Sequence, residues 1–184
     1  MSDTNLALYL PIFSKLGLDV TFLVPTPTGY SKSIMDATIP VRNFLRKNNI
    51  HNYTRQIQGQ DHKVIIPTFF VCSDYKINSS ASQYRPLTKN GDPRIWFANL
   101  KKYCNPCNLL AIVANNNTLY VINLSNSNIS NSLLNGGYVY EVLCDISNTQ
   151  QQVANELFHK IQQIHNMGFI KTVCNGDTGV GATL

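Results

Sequence analysis

The sequence is poor in acids. Only ten of its 184 residues are Asp or Glu, and Glu141 and Glu156 are the only glutamates. A nuclease of the D…E-x-K kind holds Mg²⁺ on carboxylates beside a lysine, and no such series occurs here. No set for phosphodiester hydrolysis can be assembled, and the chain on its own is not expected to be a nuclease. Charge of either sign is scarce, 14% against the usual quarter. No apolar run reaches the ~18 residues that a membrane span needs, so no membrane association is expected. The N-terminal MSDTNLALYLPIFSKLG lacks the basic region and small-residue cleavage site of a secretory signal. The odd count of five cysteines then reads as reduced thiols in a cytoplasmic protein.

Other catalytic patterns are missing too. Cys104-Asn-Pro-Cys107 is a lone C-x-x-C, whereas a structural zinc site needs four ligands. Two thiols at a turn is the simpler reading. His51, His62, His159 and His165 form no H-x-x-x-H or H-E-x-x-H pair. The glycine-rich Gly176-Asp-Thr-Gly-Val-Gly-Ala-Thr183 lacks the Lys-Ser/Thr end of a phosphate-binding loop. No metal and no cofactor is expected for this domain.

What is present is apolar residues at 43%, enough for a core, and 22 asparagines that supply polarity without charge. The cations are unevenly placed. Residues 30–102 carry twelve of the fifteen Lys and Arg residues and only four acids, a balance of +8 within a chain of net charge +5. Such a basic stretch beside an acidic remainder is the electrostatic mark of a polyanion partner. A generic solvated basic face is the alternative.

The pattern of apolar residues predicts several elements. Residues 5–16 read as a short helix, 18–24 as a strand and 25–33 as a breaker-rich loop. Residues 39–49 read as a helix with Val41, Phe44 and Leu45 on one side. The segments 53–58 and 63–72 look like a hairpin or meander, with Pro67 favouring an edge or bulge. A long polar stretch, 74–94, precedes a short helix at 95–103. The clearest hairpin is 108–114 with 118–125, turning at Asn115–Asn117. Residues 125–132 read as a polar loop and 138–144 as a strand. The clearest helix is 148–167, with Val153, Leu157, Ile161 and Ile164 in one stripe and Gly168 as its stop. Strands outnumber helices, so the expected class is mixed and mainly β. A barrel or pseudobarrel with flanking helices suits it better than a doubly wound sheet.

Two polar loops concentrate the chemistry of duplex recognition. One, about 26–38, carries Tyr30, Ser31, Lys32, Ser33 and Asp36. The other, about 76–96, carries Lys76, Gln83, Tyr84, Arg85, Thr88, Lys89, Asn90, Asp92, Arg94 and Trp96. Lysines and hydroxyls hold phosphates, Arg forks onto guanine, Asn or Gln pairs with adenine, and Asp accepts from cytosine. Arg94 and Asp92 are the expected base readers, and Lys32 and Lys89 the phosphate contacts. For Asp92 the alternative is a cap on the helix expected near Arg94. For the whole stretch the alternative is a non-specific nucleic-acid or protein-interaction module.

The chain resembles known families at two places. Asn175-Gly-Asp-Thr-Gly-Val-Gly-Ala-Thr-Leu184 is similar to the opening motif of MvaI/BcnI-type restriction endonuclease catalytic domains. Thr88-Lys-Asn-Gly-Asp-Pro-Arg-Ile-Trp96 resembles the specificity loop of EcoRII N-terminal effector domains. Those domains are DNA-binding pseudobarrels, shared with plant transcription factors, that grip DNA between two projecting arms. The resemblance implies arms at 26–38 and 76–96 and a CC(A/T)GG target in double-stranded DNA. It also implies that the chain is the effector domain of a type II restriction endonuclease, with a nuclease domain C-terminal to it that would use Mg²⁺. On this reading residues 1–170 form the pseudobarrel, and 171–184 are a linker and the start of the nuclease domain. Two unlike arms can share one near-palindromic site, so a monomer per site is expected.

Overall fold

The structure, a computed structural model, describes residues 6–177, with side chains as far as Gly168. It divides into two compact units, one ending at Asp145 and the other beginning at Ile146. The glycine-rich tail from Thr178 onward lies outside the described residues, as do the side chains on either side of the expected boundary at 170/171.

The first unit is built on seven strands. They are β1 (Val20–Leu23), β2 (Met35–Asp36), β3 (Val64–Val71), β4 (Lys76–Tyr84), β5 (Arg94–Phe97), β6 (Leu110–Asn115) and β7 (Thr118–Asn123). In the sheet they stand in the order β1-β6-β7-β3-β4-β5-β2. All neighbours are antiparallel except β3 and β7. The consecutive strands β1 and β2 therefore occupy opposite edges. Laid flat, seven strands would separate those edges by roughly 29 Å at ~4.8 Å per strand. Yet Leu23 of β1 and Met35 of β2 share one buried core, to which every strand contributes from one face. The sheet is thus curled into a half-barrel around that core, with Ile66, Phe70, Phe97, Ile112 and Leu119 inside it.

Helix α3 (Ile39–Lys47) adds Val41, Phe44 and Leu45 to this core, on the side its spacing predicts. Helix α1 (Leu6–Lys15) sets Phe13 edge-on to Phe22 of β1, with ring centroids 6.4 Å apart. Burying a side chain such as Phe13 contributes about 1.5–3 kcal/mol. The β6–β7 hairpin turns through Asn116 and Asn117 at φ 47° and 61°. Two successive left-handed residues make the turn whose twist suits a two-residue hairpin.

Several expected elements differ. Residues 53–58 do not pair with β3. Tyr53–Arg55 is a single 3-10 turn, and the partner of β3 is β4, which lies in the polar stretch 74–94. Ile77, Ser79, Ala81 and Gln83 alternate along β4, and Ala81 and Gln83 are buried while serines and asparagine fill the other face. Pro67 sits in an inner strand, one residue before the β3–β7 ladder begins at Thr68, so its missing N–H takes no bond from that ladder. Residues 94–97 are strand rather than helix, which removes the helix that Asp92 would have capped.

The loop 25–33 contains α2 (Pro27–Lys32). Pro27 occupies the first helical turn, where its missing N–H costs nothing, and the Thr26 hydroxyl accepts from the Gly29 amide at 3.1 Å. The loop 125–132 becomes α4 (Ser127–Leu134), capped by the Asn126 side chain on the amides of Asn128 and Ile129. The strand expected at 138–144 is the beginning of α5 (Tyr138–Asp177), which runs through Gly168. In the second unit Val153, Leu157, Phe158, Ile161, Ile164 and Met167 are exposed on this helix. No helix among the described residues is long and apolar enough to cross a membrane.

Candidate nucleic-acid interface

The two polar loops are far apart in sequence, with residues 39–75 between them, and meet in space because β2 pairs with β5. The ladder sets Asp36 directly opposite Arg94, and Tyr84 opposite Arg94 on its other side. Directly opposed side chains of opposite charge attract, and Arg94 Nη1 is ion-paired with Asp36 Oδ1. Asp92 Oδ2 lies 3.8 Å from Arg94 Nη2. The Arg94 side chain is only 15% exposed, whereas those of Asp36 and Asp92 are 73% and 61% exposed. Arg94 therefore ties the base of one loop to the base of the other, and the two carboxylates face solvent.

Around this tie lies a cleft of about 710 Å³. Its walls come from both loops: Thr26, Thr28, Gly29, Lys32 and Asp36 on one side, Tyr84, Thr88, Lys89 and Arg94 on the other. Gly29 is required by close approach, since a Cβ there would lie 2.8 Å from the Ile34 carbonyl oxygen. Lys32 and Lys89 are exposed. The lining thus offers two exposed lysines, the Arg94 guanidinium, one carboxylate, Asp36, and several hydroxyls.

The tip of the second loop is strained. Lys89, Asn90 and Gly91 stand consecutively at φ 51°, 55° and 70°. A left-handed conformation suits Gly and is tolerated by Asn, but it is costly for Lys, by about 1–3 kcal/mol. The tip is held from below. Arg85 Nε donates to the Gly91 carbonyl at 2.8 Å, and Arg85 Nη1 donates to the carbonyls of Tyr53 and Gln56 at 3.4 and 3.3 Å. Tyr53 donates its hydroxyl to the Arg94 carbonyl at 2.9 Å and to Gln83 Oε1 at 3.2 Å. Burial pushes the Tyr53 hydroxyl far above the usual range, and the nearby Arg42 charge opposes this. Gln56 Nε2 donates to the carbonyls of Gln83 and His62, and Gln56 Oε1 meets His51 Nε2 at 3.0 Å. Burial lowers the His51 pKa below its usual value, and the bond to Gln56 opposes that shift. This network fixes the backbone from which the tip projects.

The residues singled out in the sequence therefore fall into three groups. Lys32, Asp36, Tyr84, Thr88, Lys89 and Arg94 line the cleft, and Asn90 and Asp92 stand on the far side of the same tip. Arg85 and Gln83 belong to the framework: Gln83 is 0% exposed, and Arg85 spends its donors on backbone carbonyls. Tyr30 is also anchored, donating to the Cys104 carbonyl at 2.9 Å, while Ser31 accepts from Lys101 Nζ through its carbonyl at 3.1 Å. Ser33 is exposed and ends α2 at φ 53°. Trp96 packs against the core with Lys101 5.8 Å from its ring. Lys76 begins β4, eight residues before Tyr84, which is roughly 27 Å along a strand. It lies over the rings of Phe69 and Tyr120 instead of in the cleft.

Thr26, Thr28 and Gly29 lie within the expected loop 26–38 but are not among the residues singled out there; they line the cleft as well. The capping hydroxyl before Pro27 was the signal for them. Among the described residues no three His, Cys, Asp or Glu side chains gather as metal ligands. Cys72, Cys104, Cys107 and Cys144 are free thiols, and burial raises that of Cys104 to about 11. Comparison with known proteins gave no matching family model, no matching curated protein and no matching solved structure.

Proposed function

We propose that this chain is a sequence-specific double-stranded DNA-binding domain that holds a duplex in the cleft between residues 26–38 and 88–94. The observation that carries this reading is the convergence of two separate polar loops on one cleft lined by Lys32, Lys89, Asp36 and Arg94. Mobile lysines and hydroxyls suit phosphates, while carboxylates close to a polyanion repel it unless they meet base amino groups. Asp36 in the cleft, and Asp92 on the far side of the same tip, are thus the candidates for reading cytosine, and Arg94, beside both, is the candidate for reading guanine. The curled sheet, with one loop leading into the edge strand β2 and the other joining β4 to β5 beside it, suits the DNA-binding pseudobarrel that the resemblance to EcoRII N-terminal domains implies, and CC(A/T)GG is the proposed target. The domain serves as the effector or targeting part of a restriction endonuclease whose Mg²⁺-dependent chemistry lies in another domain. It acts as a monomer on each site, in the cytoplasm of a bacterium.

The test is a gel-shift titration against salt. If about six cations meet phosphates, log K falls with log[salt] at a slope of roughly −5. Lys32→Ala and Lys89→Ala each reduce that slope by about 1. A slope near zero contradicts the reading, as does site-specific nicking of plasmid by this chain with Mg²⁺.

A further inference from the structure

The strained tip of the second loop has two sides. Thr88, Lys89 and Arg94 face the cleft just described. Asn90, Gly91, Asp92 and Pro93 face a second depression of about 580 Å³, whose opposite wall is α3 with Arg42, Asn43 and Arg46. Three features of this depression point to an anion.

The first is charge without compensation. Helix α3 carries Arg42, Arg46 and Lys47 and no acid. Lys47 is paired with Asp19 at 3.2 Å. Arg42 and Arg46 have no acidic partner among the described residues. They stand four residues apart, on one face of the helix, where like charges repel.

The second is an orphaned donor. Arg42 Nε is buried and has no hydrogen-bond partner among the described residues. A buried guanidinium donor without an acceptor is unfavourable and calls for one. Arg46 Nη2 reaches only Asn43 Oδ1, at 3.3 Å, which fixes its direction and leaves it without a counter-charge.

The third is placement. The acid in the lining, Asp92, is turned toward Arg94 at 3.8 Å. The arginine forks stand across the depression from the loop tip, and guanidinium groups match phosphate oxygens in a bidentate way that lysine cannot.

We propose that Arg42 and Arg46 form a second anion site that takes a backbone phosphate of the same duplex, so that the footprint continues over the loop tip onto α3. This rests on the reading of the cleft as a duplex site. It assigns α3 a positioning role: it fixes where the tip lies on the DNA without reading a base.

The experiment compares wild type, Arg46→Gln and Arg42→Gln/Arg46→Gln with Lys89→Ala, using duplexes with and without the proposed target. Affinity is measured across a salt series, and thermal melting checks the fold. Arg46→Gln should weaken both duplexes equally and reduce the salt slope by about 1. The double variant should reduce it by about 2, and Arg46→Lys should restore part of the loss. Because Arg46 is exposed, it decides the matter should the double variant fail to fold. If Arg46→Gln keeps the wild-type affinity and slope while Lys89→Ala loses both, the anion site is overturned and the cleft stands. If Arg46→Gln weakens only the target duplex, the positioning role is wrong and Arg46 reads bases. If wild type binds no duplex, the cleft reading falls and takes this inference with it.

Discussion

The two halves of the curled sheet are built from different chemistry. Strand β6 has five consecutive buried residues, Leu110–Ala114, because both of its faces are covered. Strand β4 buries Ala81 and Gln83 and turns Asn78, Ser80, Ser82 and Tyr84 outward. The first half is buried on both faces along β6. The second, with β5 and β2, carries the cleft; it buries Met35, Ala81, Ile95 and Phe97 on its inner face and adds hydrogen bonds such as Ser79 Oγ to the Ala98 carbonyl at 2.7 Å. A sheet whose outer face carries Asn78, Ser80 and Ser82 leaves that face open to solvent.

Substitutions should separate the halves. The largest effect is expected from Leu119→Ala, which leaves a cavity in the closed half. About 2–5 kcal/mol of stability should be lost in urea unfolding. Ser82→Ala, on the open half, should cost less than about 0.5 kcal/mol. Equal losses would mean that the open half is as tightly packed as the closed one.

Arg94→Ala comes next. It removes the tie between the loops and should weaken binding to the target duplex by about 1–3 kcal/mol, with relaxed discrimination at the cleft. Stability should change less than for Leu119→Ala. If affinity falls equally for all sequences, Arg94 belongs with the phosphate contacts and has no part in base reading.

Tyr53→Phe deletes the donor shared by Gln83 and the Arg94 carbonyl. A loss of about 1–2 kcal/mol in stability is expected, because two buried acceptors lose a partner. Unchanged unfolding would mean that water replaces the hydroxyl.

The contrast between the halves also explains what the sequence made legible. Short apolar runs on either side of the Asn-rich turn mark β6 and β7, and the 3.6-residue spacing marks α3. The strand β4 is hidden because Lys76–Tyr84 contains no β-branched residue except Ile77, and its serines read as loop. Its identity as a strand depends on partners β3 and β5, which are tertiary facts. Helix α2 is hidden because Pro27 and Gly29 read as breakers, although Thr26-Pro27 is also a helix start. The start of α5 is hidden because Tyr138-Val-Tyr-Glu-Val carries β-forming residues in a helix. Of the candidate site, the two loops and their cations are visible in sequence. Their meeting is not, because it depends on β2 and β5, only two and four residues long. The burial of Gln83 and the capture of Arg85 by Gly91 follow from the same pairing.

A smaller effect concerns pH. His51 is held neutral by burial, so its folded pKa lies below the unfolded value of 6.5. A depressed histidine contributes stability above the unfolded pKa. That contribution declines as pH falls below about 6.5 and is gone below the folded value. The stability of wild type against unfolding should therefore fall between pH 7 and pH 5 more than that of His51→Gln. Parallel curves would place the pH sensitivity elsewhere.

If the open half of the sheet reads duplex sequence through one cleft, as proposed, competition binding between duplexes reveals it. A labelled CC(A/T)GG duplex is bound at fixed salt without Mg²⁺ and displaced by unlabelled target, by each single-base variant and by random DNA. Variants within the site should compete less well by about 1–3 kcal/mol each, and random duplex more weakly still. Equal competition by every duplex would contradict the proposed reading.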